Sequence, residues 1–243
     1  MAGAARGRVC GFVAEYIGTF ALVFFGCGSI LVAQTAFSDA GAAGLVVVAI
    51  GFGAVLLAVV TAFLPVSGAQ FNPAVSIALI VAGKQSVGVA GLWIVAQLLG
   101  AASGAGMLVF LLGTETANNP ELGTTVGATL GTGRFAESPV LLAAFEGLLI
   151  FFLMIVILFA IVDERGHPAG AGVWVAFAVM ACIAAGGPHT HASMNPARSF
   201  GPALYGHWER HWAYWAGPIA GACLASAVWR LMRSPSSPAE ASR

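Results

Sequence analysis

Long apolar runs separated by short polar breaks dominate the chain, and they set its elements. Six runs are close to or beyond the roughly 20 residues that a spanning helix needs: about 11–33, 42–63, 87–113, 138–162, 170–187 and 209–232. Two shorter apolar pieces remain, about 72–83 and 195–206, each opened by Asn-Pro. They are too short to cross a bilayer, yet their composition is not that of a loop. Re-entrant half-helices fit them best, because non-helical backbone at membrane depth must be buried in protein or line a wet cavity. The pattern predicts an all-α membrane protein with six transmembrane helices and two half-helices.

Composition narrows the class. Of 243 residues 59% are hydrophobic and 8% charged, against about 25% charged in a soluble domain. That excludes an ordinary soluble enzyme, a disordered regulator and a nucleic-acid binder, which needs a basic patch. An even number of spans puts both termini on one side. With the termini cytoplasmic, Arg6, Arg8, Lys84, Arg165, Arg230, Arg233 and Arg243 lie inside and Arg134, Arg198 and Arg210 outside, as the positive-inside rule asks. The expected location is a multi-pass position in the plasma (inner) membrane. Residues 1–10 are expected to be a short cytoplasmic tail, since a full span follows directly and leaves no cleavable signal. Residues 11–232 form one membrane domain, and 233–243, rich in Ser, Pro and Ala, a disordered cytoplasmic tail.

Candidate chemistry is sparse. Cys10, Cys27, Cys182 and Cys223 fall at or inside spans and show neither disulfide nor zinc spacing. His189, His191, His207 and His211 gather on the outer side, which suits a solvated vestibule. No triad, phosphate loop or cofactor motif is present, so no catalytic residue, metal or cofactor is expected.

The two halves repeat each other. Glu15 precedes Phe20 as Glu146 precedes Phe151, Asn72-Pro73-Ala74 recurs as Asn195-Pro196-Ala197, and Ala96, Gly100 and Ala101 match Gly217, Gly221 and Ala222. Repeat one therefore covers 11–113 and repeat two 138–232, joined by a loop at 114–137. Three spans per repeat is odd, so the second copy is inverted and the functional site is expected where broken helices meet at the midplane. Small residues at four-residue spacing in the third and sixth spans let helix backbones approach closely.

Asn-Pro-Ala is a helix start. Pro suits the first turn, where its missing N–H would be unpaired anyway, and Asn is a strong N-cap. Capping alone accounts for one such motif. Two at equivalent repeat positions bring two positive helix ends together, each with a side-chain amide able to donate hydrogen bonds.

Ser67-Gly68-Ala69-Gln70-Phe71-Asn72-Pro73-Ala74-Val75, Ser193-Met194-Asn195-Pro196-Ala197-Arg198-Ser199-Phe200-Gly201-Pro202-Ala203, and Ala14-Glu15 with Gly18-Thr19-Phe20 carry a family resemblance. Over about residues 11–232 the chain resembles the major intrinsic protein family, the aquaporins and glycerol facilitators. It departs from that pattern at Gln70, where His is usual, and at His191, where Gly is usual. The resemblance implies the hourglass fold, a pore in every protomer and a homotetramer in lipid. It also implies a pore centre at Asn72, Pro73, Ala74, Asn195, Pro196 and Ala197. Backbone acceptors are then expected from Gly68, Ala69 and Gln70 on one side and from His189, Thr190, His191 and Ala192 on the other. Intramembrane acids are functional candidates by default, and a proton relay is one reading of Glu15 and Glu146. In the family the corresponding acids brace the re-entrant loops, and one acid per repeat favours the brace.

The family's outer constriction falls on Phe52, 20 residues before Asn72, on Ile183 and Ala192, 12 and 3 before Asn195, and on Arg198. Water-selective members carry Phe, His, Cys or Thr, and Arg there. Ile183 in place of the polar His, with small Ala192, implies a wider and less polar filter. Ser199, Ala203 and Tyr214-Trp215 point to the water side of the family. The resemblance thus implies a passive channel conducting water in single file, excluding protons and ions, and leaking small neutral solutes. The alternative is a channel mainly for glycerol, metalloid hydroxides, ammonia or hydrogen sulfide. A proton-coupled secondary transporter would need titratable groups along its path, and only Glu15 and Glu146 qualify.

Overall fold

A computed structural model describes residues 2–37, 42–113, 138–206 and 208–233. The connection 114–137, with Arg134, and His207 and the tail from 234 lie outside the described residues. The first repeat comprises α1 (Ala2–Ala36), α2 (Ala42–Ser67), the half-helix α3 (Pro73–Val81) and α4 (Val87–Leu112). The second comprises α5 (Pro139–Ile157), α6 (Ala171–Thr190), the half-helix α7 (Pro196–Ala203) and α8 (Ala213–Met232). A π-helical turn, Leu158–Val162, prolongs α5, and a 3-10 turn, Pro168–Gly170, leads into α6.

The half-helices begin where capping chemistry dictates. Asn72 and Asn195 have extended backbones, and their side-chain oxygens accept from Ala74 N–H and Ala197 N–H, with Pro next in line. Two boundaries differ from expectation. Helix α1 starts at Ala2, so the segment expected as a tail is helical; Ala2, Ala4, Ala5, Arg6 and Arg8 are strong helix formers. Helices α2 and α6 run through Pro65 and Pro188 to Ser67 and Thr190. A proline so near a helix end removes a single hydrogen bond, so the helix tolerates it.

Packing follows the repeat. Helix α1 lies along α4 and α5 along α8, while α2 and α6 face each other across the two repeats. Each half-helix rests on the last helix of the other repeat, α3 on α8 and α7 on α4. Small residues make these approaches possible: a methyl on Gly100 would collide with the Tyr16 carbonyl, and one on the equivalent Gly221 with the Gly147 carbonyl. Ser226 Oγ donates to the Ala78 carbonyl at 2.8 Å, tying α8 to α3.

Polarity is the reverse of a soluble protein's. Phe110, Leu148 and Phe177 are exposed on the periphery, whereas Glu15, Gln97, Glu146 and Arg198 are buried. Among the described residues five helices are long and apolar enough to cross a membrane, all but α8 of the six full-length ones. Tyr214, Trp215, Pro218 and two glycines dilute α8, which spends its small residues on contact with α5.

Candidate functional site

The loops ahead of the half-helices are built alike. Gly68 N–H bonds the Leu64 carbonyl and His191 N–H the Gly187 carbonyl, at 3.1 and 3.0 Å, so both residues close a helix in the left-handed region. Gly68 has φ +89° and His191 φ +65°. The usual Gly is the residue that region favours, and its replacement by His leaves the cap geometry in place. Beyond it Ala69 and Phe71 in one loop, and Ala192 and Met194 in the other, also have positive φ. Such conformations cost about 1–3 kcal/mol each and persist only where the surroundings enforce them.

Two buried carboxylates enforce them. Glu15 accepts from Ser67 Oγ at 2.6 Å, Gln70 N–H at 2.9 Å, Phe71 N–H at 2.7 Å and Gln97 Nε2 at 2.8 Å. Glu146 accepts from Thr190 Oγ1 at 2.7 Å, Ser193 N–H at 2.9 Å and Met194 N–H at 2.6 Å. Hydrogen bonds to charged groups are worth about 1.5–3 kcal/mol each, enough to offset the backbone strain. These bonds tie the loops and the helix ends before them to α1 and α5, with Gln97 of α4 steadying Glu15, and neither carboxylate lines the cavity described below.

Between the loops the two asparagines cross-link the repeats. Asn72 Nδ2 donates to the Met194 carbonyl at 2.9 Å, and Asn195 Nδ2 donates to the Phe71 carbonyl at 2.8 Å. With each Oδ1 engaged in its own helix cap, both amides have a fixed sense. Each Nδ2 retains a second N–H. Pro73, Ala74, Pro196 and Ala197 are buried in the first turns behind the asparagines and do not reach the cavity.

That cavity, about 400 Å³, runs past both asparagines. At one end it brings together all four residues expected at the constriction, Phe52, Ile183, Ala192 and Arg198. The Arg198 guanidinium carbon lies 5.2 Å from the Phe52 ring centre. Gly68, Ala69, Gln70 and Phe71 line it from the first loop, and Gln70, Lys84 and Gln85 stand at the far end. One wall, including Leu56, Val60, Val75, Leu153 and Val179, is apolar.

The second loop differs from expectation. Its lining residues are Ala192, Ser193 and Met194, not His189, Thr190 and His191. Helix α6 stays helical through Thr190, and the Thr190 carbonyl is taken by Tyr214 Oη at 3.0 Å. Trp93 plays the same part in repeat one, its Nε1 donating to the Ser67 carbonyl at 3.1 Å. Sequence reasoning missed Trp93 and Gln97 altogether and the bracing roles of Tyr214, Ser67 and Thr190. The available signals were a buried Gln in an apolar run and the equivalent positions of each pair in the two repeats.

Outside the membrane-spanning segments, Asp163 follows the π-helical turn and binds Arg165 through Nε at 2.7 Å and Nη2 at 3.1 Å. These bonds, with that from Trp229 Nε1, hold its carboxyl well below the usual range. Burial lowers the pKa of His211, whose Nε2 accepts from Trp215 Nε1 at 3.0 Å.

Two inverted repeats whose half-helices meet over one cavity define an integral, multi-pass membrane channel of the hourglass type. The family model described as major intrinsic protein matches residues 7–229. The chain belongs to that family, whose members are passive channels and not enzymes. It is similar to Aquaporin TIP4-4 of Zea mays, 39% identical over 227 residues that cover 92% of this chain and 86% of that one. Nodulin-26 of Glycine max is 34% identical, with 93% and 79% covered. The X-ray structure of the aquaglyceroporin from Plasmodium falciparum matches with a TM-score of 0.73 at 25% identity, covering 91% of this chain and 93% of that one.

Proposed function

We propose that the chain conducts water in single file, excludes protons and ions, and leaks small neutral solutes. The observation that carries this reading is the pair of oppositely fixed amides, Asn72 and Asn195, at one cavity. A water passing between them turns its oxygen toward both free N–H groups. That orientation interrupts the hydrogen-bonded relay a proton would use. The positive ends of α3 and α7 converge there and, with Arg198, oppose cations. Phe52, Ile183, Ala192 and Arg198 act as the filter, the carbonyls of Gly68, Ala69 and Gln70 replace lost hydration, and Glu15 and Glu146 brace the loops.

A second reading, a channel mainly for glycerol, metalloid hydroxides, ammonia or hydrogen sulfide, draws on Ile183 and Ala192 at the constriction and on likeness to a structure titled an aquaglyceroporin. Stopped-flow light scattering of reconstituted vesicles separates the two. Osmotic shrinkage faster than in empty vesicles, exceeding solute entry, supports water; shrinkage at the empty-vesicle rate refutes it. The working unit is a homotetramer in lipid, in a plasma (inner) membrane with cytoplasmic termini. The gathering of Lys84, Arg165 and Arg233 around Trp229 and Asp163 at one end supports that orientation. A C-terminal reporter protected from external protease in intact cells is the expected result.

A further inference from the structure

We propose that Gln85 and Gln70 form a hydrogen-bonded bridge at the Lys84 end of the pore, a second constriction that sets the size limit for neutral solutes. This rests on the channel reading above and assigns its selectivity to a further residue.

Gln85 is held rigidly. Helix α3 ends in a tight reversal in which Lys84 N–H bonds the Leu79 carbonyl and Gly83 N–H the Ile80 carbonyl, both at 2.9 Å. This is a Schellman motif. It needs a left-handed residue, supplied by Gly83 at φ +73° in open surroundings. Immediately after Gln85, the Ser86 hydroxyl caps α4. Gln85 is therefore pinned between a helix stop and a helix start, with its side chain on the cavity.

Its partner is equally fixed. Gln70 Oε1 accepts from Ser76 Oγ at 2.6 Å, and Gln70 Nε2 donates to Gln85 Oε1. Gln85 Nε2 is then left buried without a partner. The facing wall is Ile157 with Ile161 and Val162 of the π-helical turn; such turns mark functional sites in many helices. Trp229 Nε1 bonds Asp163 at the foot of that turn at 3.1 Å, while Lys84 lies 5.7 Å from the centre of the Trp229 ring. Both walls of this mouth are thus anchored to α8.

The other loop has no such bridge. At the position equivalent to Gln70 stands Ser193, whose short side chain stops at Ser199 Oγ, 2.5 Å away. With an apolar Ile183 and a small Ala192 at the Arg198 end, the size limit falls to the Gln70–Gln85 end. Water, one oxygen wide, passes between the bridge and the facing apolar wall; a polyol needs the bridge to part.

The test uses the full-length channel in vesicles, with glycerol-to-water permeability ratio as the readout. Q85A removes the side chain and Q85M keeps its length without hydrogen bonding. Both should raise the ratio about three- to tenfold, the worth of one hydrogen bond, through faster glycerol entry. Q85E keeps an acceptor for Gln70 Nε2 and should retain the wild-type ratio. An unchanged ratio in Q85A, a wild-type ratio in Q85M, or Q85E as leaky as Q85A would each overturn the proposal. Wild-type vesicles that shrink no faster than empty ones would instead remove the channel reading on which it rests.

Discussion

Glu15 and Glu146 hold equivalent loops, yet replacing each by Gln should have unequal consequences. In E146Q the new amide can keep its oxygen toward Thr190 Oγ1 and Ser193 N–H, which share one carboxylate oxygen. Its Nε2 then confronts Met194 N–H, formerly bonded at 2.6 Å, so two buried donors face each other. In E15Q, Phe71 N–H is orphaned in the same way. There, however, Gln97 adjoins, and its Oε1 is buried without a partner. Gln97 Nε2, which donates to Glu15, meets the new Nε2, and turning that amide over only points Nε2 to where Oε1 had no partner and claims the Ser76 proton that Gln70 accepts. The position in α8 equivalent to Gln97 is Pro218, which brings no such donor. An unsatisfied buried donor costs about 1–3 kcal/mol, so E15Q, with one more such donor than E146Q, should be the less stable by that amount. For a chain of this length the gap is roughly 2–12 °C in unfolding midpoint, measured by thermal melts in one detergent. Adding Q97L should remove the handicap of E15Q. Equal melting of E15Q and E146Q, or E15Q/Q97L melting no higher than E15Q alone, would refute the reasoning.

Other expectations follow from single contacts. G221A drives a methyl into the Gly147 carbonyl and should cost more than the usual overpacking penalty of about 1–3 kcal/mol, whereas G88A, in open space on α4, should be neutral or stabilising by up to about 1 kcal/mol; paired melts decide. I183H restores a polar group at the constriction and should lower the glycerol-to-water ratio in the vesicle assay; an unchanged ratio would remove Ile183 from the filter. Because Asp163 is held below its ordinary value by Arg165, its contribution is full above the unfolded aspartate pKa of about 3.9 and fades as pH falls through the lower folded value. Melting points of wild type and D163N should therefore differ between pH 5 and 8 and converge only in stronger acid.

What was legible in the chain is what local chemistry writes. Asn72-Pro73 and Asn195-Pro196 announce helix starts because capping and a missing N–H act within a turn. Gly100 and Gly221 announce close helix contact through spacing alone. The bonds that hold the site are not local: Trp93 reaches Ser67, Tyr214 reaches Thr190 and Gln97 reaches Glu15 across different helices. Only comparison of the repeats would have raised them, since each pair occupies equivalent places. The misplaced acceptors His189, Thr190 and His191 have the same origin. Whether α6 continues past Pro188 is decided by partners elsewhere, Glu146 and Tyr214, which periodicity does not register.

The repeats diverge at informative places. Their scaffold is nearly symmetric: acids, hydroxyls, aromatic donors and capping asparagines all come in pairs. Symmetry fails at Gln70 against Ser193, Gln97 against Pro218 and Gly68 against His191. An inverted repeat with identical ends would present the same mouth to both sides of the membrane. The differences at Gln70 and Ser193 fall on the cavity wall itself, where side-chain length changes what a solute meets, whereas Gln97 lies behind the wall and steadies Glu15 and Ser76. Selectivity can therefore vary at the cavity wall while the paired bracing stays intact, which is why Ile183 and Ala192 beside Arg198 leave the architecture of this channel unchanged.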